Sequence, residues 1–271
     1  MKIFKNKEHL KSEIGNNKSI SFVPTMGGLH KGHISLIKTA KRYKNETLVS
    51  IYVNPKQFNK KEDYKKYPRN LVKDLKILRK LKVNYLYLPT YKDLFKFKTS
   101  HRVYLHKFAK KLCGKYRKGH FKGVLDVVNR FLEIIRPKYL FLGLKDFQQL
   151  ILIKKHILKN KIVTKVTSCK TVREHNGVAC SSRNFNLNKS QMKIAKNVFN
   201  YLIKKKKKTK KNLRFFNSSL FKKDLIKIGV NKIDYLEIIN QKTLEKPKKS
   251  KENFNIFIAY YLDKVRLIDN I

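Results

Sequence analysis

The chain has 271 residues, enough for one large or two small domains with a sizeable buried core. Its 66 Lys and Arg residues against 18 Asp and Glu residues give a formal net charge of +48, a value typical of proteins that bind nucleic acid or anionic membranes. Because the positive charges are scattered over every segment, we interpret them as compositional drift. We expect non-specific, salt-sensitive binding to polyanions and no specific nucleic-acid partner.

The N-terminus and the cysteines indicate a reducing compartment. The first residues lack the apolar segment of a signal peptide, and no apolar run approaches the ~20 residues that span a bilayer. Three cysteines in no recognisable framework, Cys113, Cys169 and Cys180, are typical of free thiols. We therefore expect a soluble, cytoplasmic protein with no membrane partner.

Strand and helix patterns alternate through the first two thirds of the chain. Residues 19–23 are predicted as a buried strand, followed by a helix with apolar residues at helical spacing over 34–40. Further strands are predicted over 47–53, 83–88, 139–142 and 162–167, with helices from 71 to 78, 124 to 135 and 147 to 158. This alternation predicts an α/β fold.

Two parts of the chain have other patterns. Residues 92–120 contain a possible strand over 102–105, a short helix near Phe108 and a loop over 114–120. Beyond residue 188, a helix over 189–203 runs into the lysine-rich stretch 204–211, which we interpret as a solvated helix end or loop. A helix over 220–228 and strands over 234–239 and 254–262 predict a small α+β domain at the end.

The stretch from Phe22 to His33 joins a predicted strand to a predicted helix. Gly27 and Gly28 permit positive φ and close backbone approach, and the N-terminus of the following helix favours phosphate. His30 and His33 fit an H-x-G-H signature and can turn toward one phosphate. Taken alone, the pattern is equally compatible with two surface histidines.

Other polar residues follow predicted strands. Asn54 and Gln57 follow the second strand, and Gly143, Lys145 and Asp146 lie between another strand and a helix whose first turn contains Gln148 and Gln149. The carboxyl ends of parallel strands share one edge of a sheet, so these residues are expected near the two histidines. Ser181-Ser182-Arg183, after the turn at 175–177, suits an anionic phosphate chain or is an ordinary polar turn.

These motifs occur in an order that closely resembles the pantothenate synthetase (pantoate–β-alanine ligase) family over almost the whole chain. The segments that carry the resemblance are 24–33, 50–58, 67–69, 117–121, 145–150, 181–184 and 266–270. The resemblance implies that ATP adenylates the carboxylate of (R)-pantoate, releasing pyrophosphate, and that β-alanine then displaces AMP. It also implies a Rossmann-like ATP- and pantoate-binding domain over 1–186, a smaller α+β C-terminal lid domain over 187–271, a homodimer and Mg²⁺.

The resemblance also implies roles for individual residues. The catalytic residues would be His33 as the proton donor, His30 beside it, and Lys145. Pantoate and β-alanine would be bound by Gln57 and Gln149, with Asn54 and Arg117. The residues that would bind ATP are Met26, Gly27, Gly28, Leu29, His30, Lys31, Gly32, His33, Gly143, Lys145, Asp146, Val172, Ser181, Ser182 and Arg183. No residue is assigned as a metal ligand.

Four residues depart from the family pattern: Lys56, Cys113, Leu144 and Cys180. Lys56 replaces a methionine, so it either adds a cation near the pantoate carboxylate or points to solvent. Two other functions stay open. A different H-x-G-H nucleotidyltransferase would share the ATP residues but not Gln57 and Gln149, and a basic nucleic-acid-binding module is supported by the net charge alone.

Overall fold

The computed structural model describes residues 1–15, 19–59 and 61–271. These residues form two compact units, Met1–Val172 and Arg173–Ile271. The division lies earlier than the expected boundary at 186/187. Arg173 forms a bidentate salt bridge with Asp269, at 2.7 and 3.0 Å, which ties the start of the second unit to its final strand.

The first unit is built on a six-stranded sheet in which all paired strands are parallel. The strands are β1 (Lys2–Phe4), β2 (Ile20–Thr25), β3 (Glu46–Ile51), β4 (Tyr85–Tyr87), β5 (Tyr139–Gly143) and β6 (Lys165–Cys169). Their order in the sheet is β1-β4-β3-β2-β5-β6. The predicted α/β class is confirmed, although the edge strand β1 was not predicted.

Eight α-helices connect these strands within the described residues. They are α1 (Lys7–Ile14), α2 (Lys31–Lys41), α3 (Lys61–Lys65), α4 (Leu71–Lys80), α5 (Tyr91–Phe95), α6 (Leu112–Tyr116), α7 (His120–Ile135) and α8 (Phe147–Lys159). Short 3-10 helices cover Pro55–Gln57, Lys107–Lys110 and Leu144–Asp146. The helices predicted over 71–78, 124–135 and 147–158 correspond to α4, α7 and α8.

Burial explains why the central strands form where they do. Val23 on β2 and Val49 on β3 are completely buried, as expected for parallel strands covered on both faces. Ile37 of α2 and Leu78 of α4 pack against the same apolar cluster. The helices that precede and follow β3 therefore hold the middle of the sheet in place.

The segment 102–105 is not a strand, so that prediction was wrong. Side chains hold it instead of a neighbouring strand: the Tyr104 N–H donates to His156 Nδ1 at 3.1 Å, and Asn160 Nδ2 donates to the Arg102 carbonyl at 3.3 Å. The predicted loop over 114–120 is partly helical, because α6 extends to Tyr116 and α7 begins at His120.

The second unit contains a three-stranded antiparallel sheet packed on two helices. Its elements are α9 (Lys189–Lys211), α10 (Ser218–Lys227), β7 (Lys232–Asn240), β8 (Phe254–Leu262) and β9 (Val265–Asn270), with 3-10 helices over Ser182–Asn186 and Leu213–Phe215. The lysine-rich stretch continues α9 as a helix. Tyr201 and Lys205 bind Asp224, and Lys206 Nζ donates to Asn255 Oδ1 at 2.8 Å, so this end of α9 is tied to its neighbours.

Candidate active site

The strand order reverses between β2 and β5. From β2 the chain proceeds to β3 and β4 on one side, then returns through α7 to β5 on the other side of β2. Open α/β sheets bind ligands in the crevice outside the carboxyl ends of the strands at such a reversal. The loops after β2 and β5 therefore flank the position where a ligand is expected.

The backbone N–H groups of the glycine loop after β2 donate hydrogen bonds to side chains of the protein. Gly27 and Gly28 have φ values of +76° and +61°, which agrees with the positive φ expected of them. The Gly27 N–H donates to Thr25 Oγ1 at 3.2 Å, and the N–H groups of Gly28 and Leu29 donate to the two carboxylate oxygens of Asp74 at 2.9 and 2.8 Å. A phosphate bound here would therefore depend on the side chains that follow the glycines.

Two histidine side chains begin helix α2. His30 is the N-cap: its Nδ1 accepts from the Gly32 N–H at 3.1 Å, and His33 Nδ1 accepts from the His30 N–H at 3.4 Å. A ring nitrogen that accepts a hydrogen bond carries no proton, so the proton of each neutral imidazole lies on Nε2. The ring centroids are 4.1 Å apart. The pair therefore presents two adjacent Nε2–H donors.

The electrostatic surroundings keep His33 neutral. Burial lowers the pKa of His33 well below its usual range, and the nearby His30 imidazole and Lys145 ammonium lower it further. Lys145 follows β5 and lies 3.6 Å from Asp146 Oδ1. The charge of Lys145, from the loop after β5, therefore acts on His33, from the loop after β2.

The remaining residues of the predicted ATP set have different degrees of exposure. Leu29 is buried in the core of the first unit, whereas Met26 is partly exposed and Lys31 is exposed at the first position of α2. Gly143 ends β5, and Val172 is the last residue of the first unit. Their contacts with a nucleotide stay predictions.

The loop after β3 is held by side chains from other elements. Asn54 is fully buried; its Nδ2 donates to the Gly123 carbonyl at 3.0 Å, and its Oδ1 accepts from the Lys56 N–H at 3.2 Å. Arg117 donates to the Gln57 carbonyl at 3.0 Å, and His120 Nδ1 lies 2.7 Å from the same oxygen. Asn54 and Arg117, expected to bind substrate, support the backbone of this loop.

The two glutamines at the start of α8 have different environments. Gln148 is buried, and its amide nitrogen donates to the Phe108 and Lys111 carbonyls at 2.8 and 2.7 Å. Gln149 is partly exposed in the first turn of the helix that follows β5. Of the two, Gln149 is therefore the candidate ligand, together with Gln57 from the loop after β3.

Ser181, Ser182 and Arg183 belong to the second unit. An antiparallel bridge joins Arg173 to Ala179, and the 3-10 helix that begins at Ser182 follows. Ser181 Oγ accepts from the Arg183 N–H at 3.2 Å, and Ser182 is buried. The segment is an ordered turn, and its predicted contact with phosphates stays a prediction.

The four departures from the family pattern lie in different environments. Lys56 Nζ is 3.7 Å from Asp126 Oδ2, so its ammonium group forms an ion pair within the protein. Cys113 and Cys180 are buried, and Leu144 is partly buried.

Within residues 1–15, 19–59 and 61–271, no three His, Cys, Asp or Glu side chains form a potential metal cluster. Every helix in the same ranges is too short or too polar to cross a membrane.

Asp74 was missed by the sequence analysis. It lies one turn before Leu78 on α4, so a carboxylate occupies the buried face of an otherwise amphipathic helix. An acidic residue at a position where helical periodicity requires an apolar side chain was the available signal. Its partners could not be read from the sequence, because they lie 45 and 46 residues earlier in the chain.

Sequence comparisons match the chain to proteins of one family. The family model for pantoate-beta-alanine ligase matches residues 2–271. The pantothenate synthetase of Flavobacterium psychrophilum is 38% identical, covering 98% of this chain and 95% of its own. That of Clostridium botulinum is 40% identical, covering 94% of this chain and 91% of its own.

Solved structures with the same architecture include two from this group. The pantoate-beta-alanine ligase of Francisella tularensis, complexed with beta-gamma ATP and beta-alanine, has a TM-score of 0.83 and 38% identity, covering 100% of this chain and 97% of that one. The pantothenate synthetase of Thermus thermophilus has a TM-score of 0.91 and 29% identity, covering 100% of this chain and 99% of that one.

Proposed function

Because the chain belongs to the pantoate-beta-alanine ligase family, we propose that it condenses (R)-pantoate with β-alanine, using ATP and releasing AMP and pyrophosphate. A pantoate carboxylate oxygen would attack the α-phosphorus of ATP as the bond to pyrophosphate breaks. The β-alanine nitrogen would then attack the carbonyl carbon of pantoyl adenylate, expelling AMP and losing a proton to solvent.

The single observation that carries this proposal is the grouping of His30, His33 and Lys145 at the strand reversal. Adenylation brings a carboxylate and a phosphate together against their mutual repulsion, and negative charge accumulates on the departing pyrophosphate. The two Nε2–H donors and the lysine ammonium are suited to stabilise that charge. His33 would act as a neutral donor, because it is uncharged near pH 7 before ATP binds.

Magnesium would enter as part of the MgATP substrate. The side chains grouped at the reversal supply nitrogen atoms, whereas Mg²⁺ takes oxygen ligands, so phosphate oxygens and water suit it better than these residues do. Mg²⁺ would neutralise part of the triphosphate charge, while His30, His33 and Lys145 orient the phosphates.

Pantoate would be bound by Gln57 and Gln149. An amide side chain both donates and accepts hydrogen bonds without adding charge, which suits a hydroxy acid whose carboxylate must remain nucleophilic. Asp146 is proposed for the ribose, Val172 for the adenine, and Ser181, Ser182 and Arg183 for the phosphates, as the family resemblance implies. The homodimer and the cytoplasmic location are proposed on the same basis.

Pantoate-dependent exchange between ATP and labelled pyrophosphate tests the proposal. We expect exchange with ATP, Mg²⁺ and pantoate, and pantothenate formation when β-alanine is added. Exchange with another acid or a nucleotide, but not with pantoate, would assign the site to a different nucleotidyltransferase. Sequence-selective, salt-insensitive binding of nucleic acid without exchange would favour the binding-module alternative.

A further inference from the structure

A buried carboxylate lies against the loop that follows β2. Asp74 is 2% exposed, and each of its carboxylate oxygens accepts one backbone N–H: Oδ2 from Gly28 at 2.9 Å and Oδ1 from Leu29 at 2.8 Å. Two consecutive peptide groups are therefore fixed to α4. The next residue is His30, the N-cap of α2, so this contact directly precedes the two histidines.

The loop and Asp74 fit closely. A Cβ atom at Gly27 would lie 3.1 Å from Asp74 Oδ2 and 3.1 Å from Ile51 Cγ2, and Gly27 has a φ of +76°. A side chain there would meet both neighbours in a backbone conformation that L-residues rarely adopt. The loop therefore passes close to Asp74 and requires glycine at position 27.

Burying the Asp74 carboxylate has a cost in free energy. Burial raises the pKa of its carboxyl group, although the hydrogen bonds from Leu29 and Gly28 oppose the shift. A buried charge carries a desolvation penalty that a neutral side chain would avoid. A carboxylate can, however, accept from two adjacent N–H groups at once, whereas an amide side chain has one accepting oxygen. What aspartate adds at this position is therefore the geometry of the loop.

We propose that Asp74 is a positioning residue for the adenylation step: by binding the Gly28 and Leu29 N–H groups, it aims the Nε2–H donors of His30 and His33 at the nucleotide phosphates. It acts through the loop rather than by contact with substrate. The inference deepens the function proposed above and rests on it.

The test compares two substitutions at Asp74 with a matched control. Asp74→Asn keeps the shape and one acceptor but sets an NH₂ group against a backbone N–H, and Asp74→Ala removes both acceptors. Glu133→Gln makes the same chemical change elsewhere, since Glu133 accepts from the Ser100 and His101 N–H groups at 3.0 and 3.1 Å. Steady-state ATP–pyrophosphate exchange is measured with ATP or pantoate varied, together with the thermal midpoint without ligands.

We expect Asp74→Asn to lower kcat/KM for ATP at least about tenfold and Asp74→Ala to lower it further, while KM for pantoate stays within about twofold of wild type. Glu133→Gln should leave both parameters within about twofold of wild type, whatever it does to the thermal midpoint. If Asp74→Ala does not fold, Asp74→Asn alone decides.

Two results would overturn the inference. One is an unchanged kcat/KM for ATP in a folded Asp74→Asn enzyme. The other is an equal loss in Glu133→Gln, which would mean that any weakened loop anchor has the same effect. Failure of the proposed function is a separate result, because it would show as an absence of pantoate-dependent exchange in the wild-type protein.

Discussion

The loops after β2 and β3 are anchored by opposite chemistry. The first is held through its N–H groups, which donate to Asp74, and the second through the Gln57 carbonyl, which accepts from Arg117 and His120. In both, a side chain from another element fixes the backbone of the loop. The comparison separates residues that would contact substrate from residues that hold them, and substitutions can test the two groups independently.

The largest effect is expected where a loop side chain would contact the reacting phosphates. His33→Ala should lower turnover roughly 10²–10³-fold, because it removes a hydrogen-bond donor to charge that develops in the transition state. The assay is pantoate-dependent pyrophosphate exchange, with far-ultraviolet circular dichroism to confirm the fold. His9→Ala, at an exposed position on α1, is the control. Near-normal turnover in His33→Ala would remove the β2 loop from the chemistry.

A third side chain, His156, holds the segment 102–105, for which no ligand is predicted. Replacing His156 should therefore change stability and not activity. His156 accepts from the Tyr104 N–H, and its pKa is lowered to about 4, first by burial and then by His101. In the unfolded chain it titrates near pH 6.5. Between these values the unfolded chain binds a proton that the native protein does not, so stability is lost as the pH falls through this window.

His156→Gln should therefore flatten the pH dependence of unfolding. Between pH 7 and pH 5 the contribution of His156 is about 2 kcal/mol, and the free energy of unfolding of the variant should change by about that much less than that of wild type. Urea titrations at the two pH values measure it, with His9→Gln as the exposed-histidine control. An identical slope in wild type and His156→Gln would contradict the lowered pKa.

A smaller effect is expected from breaking the anchor of the β3 loop. Arg117→Ala should raise KM for pantoate about tenfold and leave KM for ATP nearly unchanged, because the loop carrying Gln57 loses a charge-assisted hydrogen bond. Arg117→Lys keeps the charge but not the planar fork that reaches both Gln57 and His120. We expect it to resemble Arg117→Ala, and wild-type behaviour would show that the charge matters rather than the anchor.

The sequence predicted the parts of this design that depend on local patterns. The apolar runs of β2 and β5 and the glycines and histidines between β2 and α2 are contiguous, so the position of both loops at the strand ends could be inferred from parallel-sheet topology. The alternation of elements likewise predicted the α/β class.

The anchors could not be predicted, because they join residues distant in the chain. The sequence analysis missed Asp74, and it assigned Arg117 to substrate binding through the family resemblance. The wrong strand at 102–105 has the same origin, because hydrogen bonds from His156 and Asn160 take the place of a neighbouring strand. Long-range hydrogen bonds, rather than local preference, decide these positions.

The smallest effect is expected at Lys56, a residue of the β3 loop whose side chain neither anchors the loop nor is expected to contact pantoate. The sequence left two interpretations, a cation near pantoate or a side chain in solvent, but its Nζ lies 3.7 Å from Asp126 Oδ2 and 4.2 Å from the centre of the Phe95 ring. Lys56→Met loses a surface ion pair and a cation–π contact and gains a sulfur–aromatic contact, so stability should change by less than about 1 kcal/mol.

The same substitution should leave KM for pantoate within about twofold of wild type. The Gln57 carbonyl is held by Arg117 and His120, so the loop keeps its position when the neighbouring side chain changes. Exchange assays with pantoate varied and urea titrations at one pH measure the two effects. A severalfold rise in KM for pantoate would show that Lys56 contacts the substrate. The β3 loop would then bind pantoate with a charge as well as with the Gln57 amide.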